Sequence, residues 1–314
     1  MRIGVVVDAS CDLPPEFLRE HNIGLLPVSI RLGDEMLVDE RDPAVTLKFY
    51  TEQLADKGLN AETFPFTAEQ IREKFLDRIV IDYDYVFCIT VTSTRSAIFE
   101  NATRASFAIL NDYKNIRARA GVSGPFALRV VDSKNMFCAT GVLAAEAAKM
   151  AKAGNTPNDI RRRLDELRDN LCGYMVPGDL YYIRTRGIKK GEKSIGLFTY
   201  AVGSALDIKP VIQSYRGETQ PVAKVLGYER AVEKMFNFVA RQIERGISTQ
   251  HVCISYGGDP ARIAKLPGYK ALAQVARENN IEILSSIMSA TAAVNAGGEC
   301  VAIAYGGELR PFEG

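Results

Sequence analysis

The sequence predicts an α/β protein with a mainly parallel sheet in its N-terminal part, and two observations carry this prediction. Apolar runs of strand length alternate along the chain with helical patterns, which is typical of α/β folds with right-handed crossovers. Most of these runs are continuously apolar, as expected of parallel strands that are covered on both faces. The length of 314 residues suits one large domain or two ordinary ones.

The predicted strands begin almost at the start of the chain. Residues 3–7 are rich in valine, and the opening stretch "MRIGVVVDAS" has too short an apolar part for a signal peptide. Later runs of the same apolar character are also interpreted as strands. They are residues 24–30, 85–91, 127–131, 251–255, 282–284 and 300–304.

Helical patterns occupy the intervals between these strands. Residues 135–154 are almost wholly apolar up to Gly154, which predicts a buried helix. Residues 227–246 have one apolar face and stop at Gly246. That face consists of Val232, Phe236, Val239 and Ile243.

Two further helices are predicted, one before and one after these two helices in the sequence. Residues 257–266 offer Asp259 as N-cap and Pro260 in the first helical position. Residues 96–110 also have the spacing of a helix. Its predicted inner face consists of Phe99, Ala102, Ser106 and Ile109.

A polar stretch with Gly and Pro, "KAGNTPNDI", is the best candidate for a domain boundary. We therefore predict an N-terminal α/β domain over residues 1–155 and a C-terminal α/β domain over residues 156–314. The last strand has two possible positions, because it can stay in the C-terminal domain or rejoin the first one.

The composition excludes several classes of function. The net charge of +1 gives no electrostatic footprint for nucleic acid or an anionic membrane. No apolar run approaches the ~18 residues that a spanning helix needs, so we expect no stable membrane insertion. The six cysteines are scattered without a CxxC pair, so we interpret them as buried thiols in a reducing cytoplasm.

No motif indicates a metal site or a cofactor. The chain has no GxGxxG motif after a strand and no cluster with metal-ligand spacing, so the "DERD" stretch is interpreted as a charged loop. "GIKKGEKS" approaches a phosphate-binding loop, but Glu192 stands where that loop needs glycine. The basic residues of 184–193 allow two interpretations, a solvated loop or a loop that contacts an anion or a partner.

Small polar residues follow three of the predicted strands. Because ligands of open α/β sheets bind outside the carboxyl ends of the strands, this pattern predicts a site for a carboxylate or a phosphate. The alternative interpretation is that these residues are helix caps and turn residues. They are Asp8 and Ser10, Thr92 and Ser93, and Asp132 and Ser133.

A serine nucleophile is the competing interpretation as an enzyme. Such a serine needs a base, usually histidine, and the chain has only His21 and His251. Both histidines come just before predicted strands, whereas Ser93 follows one. In a parallel sheet they therefore lie at the opposite edge from Ser93. Because the chain also lacks a GxSxG motif, the sequence disfavours a serine hydrolase.

Five segments of the chain resemble known family motifs. "VVDASCDLPPE" is similar to D-S-x-x-D-L-P, "VVDSKNM" is nearly identical to a family segment, and "LDIKPVI", continued by "GETQPVAKV", and "ISYGG" match further ones. "FCITVTSTRSAIFENA" is similar to I-S-S-x-L-S-G-T-Y-x-S-A, with Thr92 and Ser93 on the paired serines and Ser96 on the third. In this order and spacing, the segments resemble the DegV family of bacterial fatty-acid-binding proteins over essentially the whole chain.

The resemblance implies two α/β domains with a long-chain fatty acid buried in the cleft between them. It implies that a threonine, matched here by Thr63 in "TFPFT", holds the carboxylate together with one of the paired serines. It further implies a carrier without catalytic activity, which presents the fatty acid to a separate fatty-acid kinase.

The chain departs from the family pattern at several of these positions. Val294 stands where relatives have a histidine near the C-terminus, and its neighbour Asn295 can supply a hydrogen bond instead. The L-S-G segment becomes Arg95-Ser96-Ala97, and the G-G-R-I segment becomes "GEKSI". The predicted ligand-binding residues are Thr63, Thr92, Ser93, Ser96 and Asn295.

The leading hypothesis is a cytoplasmic, DegV-like protein that sequesters a long-chain fatty acid and is not an enzyme. Two alternatives stay open. One is an enzyme on the same fold that acts on a small acyl or phosphate ester through Ser93 or Asp132. The other is a binding protein for a different amphiphile, motivated by Val294 at the position of the histidine.

Overall fold

A computed structural model of the chain describes residues 1–53, 61–183 and 207–313. In this part of the chain the strands and helices form three sheets with helices packed against them. The strands are β1 (Ile3–Asp8), β2 (Gly24–Leu26), β3 (Val28–Leu32), β4 (Glu35–Asp39), β5 (Glu62–Pro65), β6 (Tyr85–Thr90), β7 (Ala127–Asp132), β8 (Leu171–Val176), β9 (Ile208–Tyr215), β10 (Glu218–Leu226), β11 (His251–Tyr256), β12 (Glu282–Ile287) and β13 (Val301–Gly306). The α-helices are α1 (Pro15–Glu20), α2 (Pro43–Lys48), α3 (Ala68–Lys74), α4 (Val80–Asp82), α5 (Ile98–Ala108), α6 (Tyr113–Arg119), α7 (Cys138–Lys152), α8 (Pro157–Asp169), α9 (Tyr228–Glu244), α10 (Tyr269–Glu278) and α11 (Ala290–Ala296).

The first sheet is parallel. Among the described strands its order is β2-β1-β6-β7, and every neighbouring pair runs in the same direction. Val5 and Val7 of β1 are buried in one hydrophobic cluster, whereas Val6 between them is buried in another. Both faces of the sheet are therefore covered, and the predicted parallel sheet of the N-terminal part is confirmed.

The second sheet has the order β10-β9-β8-β13-β11-β12 in the described part of the chain. β11 and β12 are parallel, and the other neighbours are antiparallel. The last strand, β13, pairs with β8 and β11, so it lies inside this C-terminal sheet and does not rejoin the first one. The sequence patterns did not predict β8, β9 and β10 as strands.

Helix α7 lies between these two sheets. Most of its residues are buried, which confirms the buried helix predicted from its apolar sequence. One hydrophobic cluster combines α7 with β1 and β6 of the first sheet and with β8, β11 and β13 of the second. The candidate boundary at residues 152–160 follows directly after α7, and the division into two domains there stays a prediction.

Residues 24–30, predicted as one strand, form two strands in different sheets. β2 pairs with β1, whereas β3 pairs antiparallel with β4 and β5 in the third sheet. Pro27 separates β2 from β3, because proline lacks the N–H that a continuous ladder requires. The chain therefore passes from the parallel sheet into the small third sheet, and strands β3 and β5 of that sheet pack against α11.

The predicted helices form, with differences in detail. α9 buries all four residues of its predicted face. α5 turns a slightly different face inward, with Ile98 and Ala105 buried where Phe99 and Ser106 were predicted, because both sets fit the helical period. Residues Pro260–Lys265 form a 3₁₀-helix instead of an α-helix, with Asp259 as the predicted cap.

The six cysteines are all buried and unpaired, as predicted. Burial raises the pKa of Cys88 and Cys138 far above the ordinary thiol value, so these thiols stay protonated and unreactive. Among the residues that the structure describes, no helix combines the length and the apolar character needed to cross a bilayer.

Candidate functional site

A cavity of about 290 Å³ lies where the three sheets approach each other. Its walls include residues of β1, β3, β5, β8, β10, α5 and α11, together with the loops that follow β1, β6 and β7. Large apolar side chains, such as Met136, Phe137 and Met175, form much of its lining. The volume is just below the roughly 300–1,000 Å³ that is usual for small-molecule pockets.

Thr63, Ser96 and Asn295, three of the five predicted binding residues, line this cavity. Thr63 reaches it from β5, where successive side chains alternate between the two faces of the small sheet. Its neighbour Phe64 points to the outer face, where the guanidinium of Arg31 lies 5.2 Å from the ring centroid. The strand period therefore presents the Thr63 hydroxyl to the cavity.

Ser96 lies at the beginning of α5. Residues 95–98 all line the cavity, so the N-terminus of this helix faces it. The Ser96 hydroxyl accepts a hydrogen bond from the N–H of Ile98 at 3.3 Å, whereas the N-cap residue Ala97 has no side chain that can cap the helix. The first N–H groups of a helix and its dipole favour an anion at this position.

Asn295 lies on α11, one turn after Thr291, and both residues line the cavity. The Asn295 side-chain N–H donates to the Thr291 carbonyl at 2.9 Å, which orients the amide. Val294, which stands at the position of the family histidine, is buried in a different hydrophobic cluster together with Ile30 and Phe49. Asn295, and not residue 294, therefore presents a polar group to the cavity.

Thr92 and Ser93 are not among the described residues that line the cavity, although the sequence predicted that they bind the ligand. The exposed Ser93 hydroxyl donates a hydrogen bond to Asp132 Oδ2 at 2.6 Å. Thr92 is buried, and its N–H donates to the carbonyl of Asn135 at 2.9 Å. Both residues fix the loop after β6.

The same loop contacts the hairpin turn between β9 and β10. The Thr94 hydroxyl donates to the carbonyl of Gly217 at 2.8 Å, and Thr92 Oγ1 lies 3.1 Å from Thr94 Oγ1. Gly217 has φ +85°, and a Cβ atom on it would lie only 3.2 Å from Thr92 Oγ1. The hydroxyl-rich loop therefore connects the parallel sheet to the second sheet, and this contact requires glycine.

Carboxylates at the ends of β1 and β7 hold this loop from both sides. Asp8 accepts hydrogen bonds from the N–H of Val91 at 2.6 Å and from the N–H of Ser10 at 2.8 Å. Asp132 accepts the bond from the Ser93 hydroxyl. Burial raises the pKa of Asp8, and its hydrogen bonds with Ser10 and Val91 oppose that effect. Asp8 also lines the cavity, so one side chain both shapes the loop and borders the site.

The loop after β4, interpreted from its sequence as a charged loop, contains buried charges. Asp39 and Arg41 are only 3% and 6% exposed. Arg41 Nη1 donates to Asp12 Oδ1 at 3.2 Å, and Asp39 Oδ2 accepts a hydrogen bond from the Thr291 hydroxyl at 2.7 Å. Burial raises the pKa of Asp12 to about 6, and the positive charge of Arg41 opposes this rise. The network fixes α11, because Thr291 belongs to that helix.

Neither histidine is among the described residues that line the cavity. His21 follows α1 as its C-cap, and His251 is the first residue of β11, where its Nε2 lies 3.0 Å from the Val142 carbonyl. In the described part of the chain, no group of three or more His, Cys, Asp or Glu side chains is arranged to hold a metal ion. The basic stretch 184–193 and the "GEKSI" segment lie outside the described residues.

The sequence interpretation did not assign three polar residues of the cavity wall: Arg95, Thr219 and Thr291. In the sequence, Arg95 is distinguished only as a departure from the L-S-G pattern. The signal that could have identified it is the position of a cation just before a helix, where the helix dipole disfavours positive charge. Thr219 and Thr291 reach the site only through the tertiary fold.

Comparison with known proteins identifies the same family as the motifs in the sequence. The sequence model of a family described as "Uncharacterised protein, DegV family" matches residues 2–308. A DegV domain-containing protein of Xanthomonas axonopodis pv. citri is 50% identical over 312 residues, which cover 99% of each chain.

Two solved structures have a similar fold. The crystal structure of DegV, a fatty-acid-binding protein from Bacillus subtilis, has a TM-score of 0.76 at 19% identity and covers 98% of this chain and 100% of its own. A stearic-acid-binding protein from Eubacterium ventriosum has a TM-score of 0.76 at 20% identity, with 97% and 98% covered. Because the family match spans nearly the whole chain and the Xanthomonas relative shares half of its residues, this chain belongs to the DegV family.

Proposed function

We propose that this protein binds a long-chain fatty acid in the cavity and carries it without catalysing a reaction. The observation that supports this most is one cavity that combines a largely apolar lining with Thr63, Ser96 and Asn295. The Bacillus subtilis and Eubacterium ventriosum proteins of similar fold bind fatty acid and stearic acid. The buried, unpaired cysteines support the predicted location in a reducing cytoplasm.

The polar residues suit a carboxylate. The hydroxyls of Thr63 and Ser96 are hydrogen-bond donors, and the N-terminus of α5 adds the positive end of a helix dipole. A hydrogen bond to a charged group contributes about 1.5–3 kcal/mol. Burial of the acyl chain contributes about 0.8 kcal/mol for each CH₂ group, so the apolar wall provides most of the affinity.

We expect Thr63→Val and Ser96→Ala each to weaken the binding of oleate about 10- to 100-fold, because each removes one hydrogen bond to the carboxylate. Equilibrium binding of radiolabelled oleate measures this effect. Ser93→Ala is the matched control, since its hydroxyl is engaged with Asp132 away from the cavity, and its affinity should equal that of the wild type. Equal affinities in all three variants would contradict the proposed headgroup site.

The alternative of an enzyme that uses Ser93 receives less support from this geometry. The Ser93 hydroxyl donates to Asp132, and neither residue is among the described residues of the cavity wall. A substrate held in the cavity would therefore not meet this pair. The fatty-acid kinase that the family resemblance implies as a partner stays a prediction, and phosphorylation of bound oleate by an added kinase would test it.

A further inference from the structure

One cationic side chain, Arg95, is present among the described residues that line the cavity. Its Nη2 donates a hydrogen bond to Thr219 Oγ1 at 2.7 Å, and Thr219 lines the cavity as well. Arg95 precedes α5 in the N-terminal part, whereas Thr219 belongs to β10 of the second sheet. The guanidinium is thus fixed at the cavity by a contact between two separate parts of the fold.

Arg95 lies where two effects, a helix dipole and burial, both disfavour a positive charge. The positive end of the α5 dipole repels a cation that precedes the helix. The side chain is half-buried beside an apolar cavity, and burial lowers the pKa of its guanidinium while Glu218 opposes that effect. Arginine nevertheless stays charged at physiological pH, so a carboxylate in the cavity would meet a cationic hydrogen-bond donor in its wall.

Among the described residues of the same wall, one side chain is acidic, Asp8, and its oxygens accept hydrogen bonds from the protein. Asp8 is fully buried and accepts hydrogen bonds from Ser10 and from the N–H of Val91. Its carboxylate is therefore engaged within the loops after β1 and β6. The adjacent Ser96 hydroxyl and the N-terminus of α5 add further donors next to Arg95, and all of them suit a carboxylate.

We propose that Arg95 is the specificity-determining residue of this site, which makes the cavity select an ionised headgroup over an uncharged one on the same chain. Long-chain alcohols and esters should therefore bind more weakly than the fatty acid of the same chain length. This inference rests on the proposed function, since it concerns the headgroup of the ligand in the same cavity. A guanidinium pairs with a carboxylate through geometry that a hydroxyl headgroup cannot match.

The test compares oleate with oleyl alcohol as competitors of radiolabelled oleate, because the chain has no tryptophan to report binding. We expect the wild type to prefer oleate about 10- to 100-fold, and Arg95→Gln to lose most of that preference through weaker oleate binding alone. Arg95→Lys should keep part of it. Arg104→Gln, an exposed arginine of the same helix, is the control and should keep all of it.

The two ligands are measured on one sample, so partial unfolding of a variant lowers both affinities and leaves their ratio unchanged. Wild-type protein that binds oleate and oleyl alcohol equally would overturn the inference whether or not a variant folds. An unchanged ratio in Arg95→Gln would overturn it as well. Wild-type protein that binds neither ligand would instead refute the proposed function.

Discussion

Arg41→Met is expected to lower the free energy of unfolding by about 3–5 kcal/mol, because it leaves the buried Asp12 carboxylate without its ion-pair partner. Arg41 also donates to the carbonyl of Ile287 at 3.2 Å, which would lose this donor. Without Arg41 the pKa of Asp12 rises above about 6. The unfolded chain releases the Asp12 proton at a lower pH than the folded protein does, so a higher pKa in the folded protein lowers stability as the pH rises toward that pKa. The stability lost in Arg41→Met should therefore be larger at pH 8 than at pH 5.

Urea unfolding at the two pH values measures this effect. The control is Arg78→Met, which removes an exposed ion pair with Asp82 and should cost about 0–1 kcal/mol. Adding Asp12→Asn to Arg41→Met removes the unpaired charge and should recover part of the lost stability. If Arg41→Met were as stable as Arg78→Met, the buried pair would not have the structural role that its burial indicates.

Ala292→Phe is expected to weaken the binding of oleate about 100-fold, because Ala292 lines the cavity and a phenyl group would occupy its acyl space. Displacing about four CH₂ groups of the ligand removes about 3 kcal/mol of hydrophobic stabilisation. Decanoate needs less of the cavity, so its affinity should fall much less than that of oleate. The measurement is the affinity for saturated and unsaturated acids of increasing chain length.

Ala108→Phe provides the control, since Ala108 is exposed at the end of α5 and does not line the cavity. This variant should bind acids of every chain length as the wild type does. Equal losses for decanoate and oleate in Ala292→Phe would indicate a general disturbance of α11. Undiminished oleate binding would show that the acyl chain lies elsewhere.

The core of the fold could be predicted from the sequence because its strands are continuous apolar runs. β1, β6 and β7 begin and end within one residue of their predicted bounds, and α7 is buried as its composition indicates. The small sheet could not be predicted, since its strands are short and half exposed. Pro27 was the available signal that residues 24–30 do not form one strand.

The candidate site was predicted in part. Thr63, Ser96 and Asn295, which the motif resemblance predicts as binding residues, line one cavity, and their contact with a ligand stays a prediction. Thr92 and Ser93 have the same residue types and lie close to Ser96 in sequence, yet the loop turns their hydroxyls toward Thr94 and Asp132. Local sequence shows that hydroxyls cluster after β6, but only the tertiary structure decides which of them face the cavity.

The two arginines with the clearest roles could not be assigned from the sequence for the same reason. Arg41 lies in a stretch that resembles a solvated loop, and its partner Asp12 is 29 residues away in sequence. Arg95 contacts Thr219, which is 124 residues away. The burial of a charge depends on such distant partners, and no local pattern indicates them.

Binding of a long-chain fatty acid is tested most directly by denaturing extraction of freshly purified protein, followed by mass spectrometry of the released organic molecules. We expect about one fatty acid per protein chain, with an acyl chain of roughly 14 to 18 carbons that provides most of the binding energy. A different amphiphile in the same amount would contradict the proposed ligand, as would protein that is empty and does not bind added oleate.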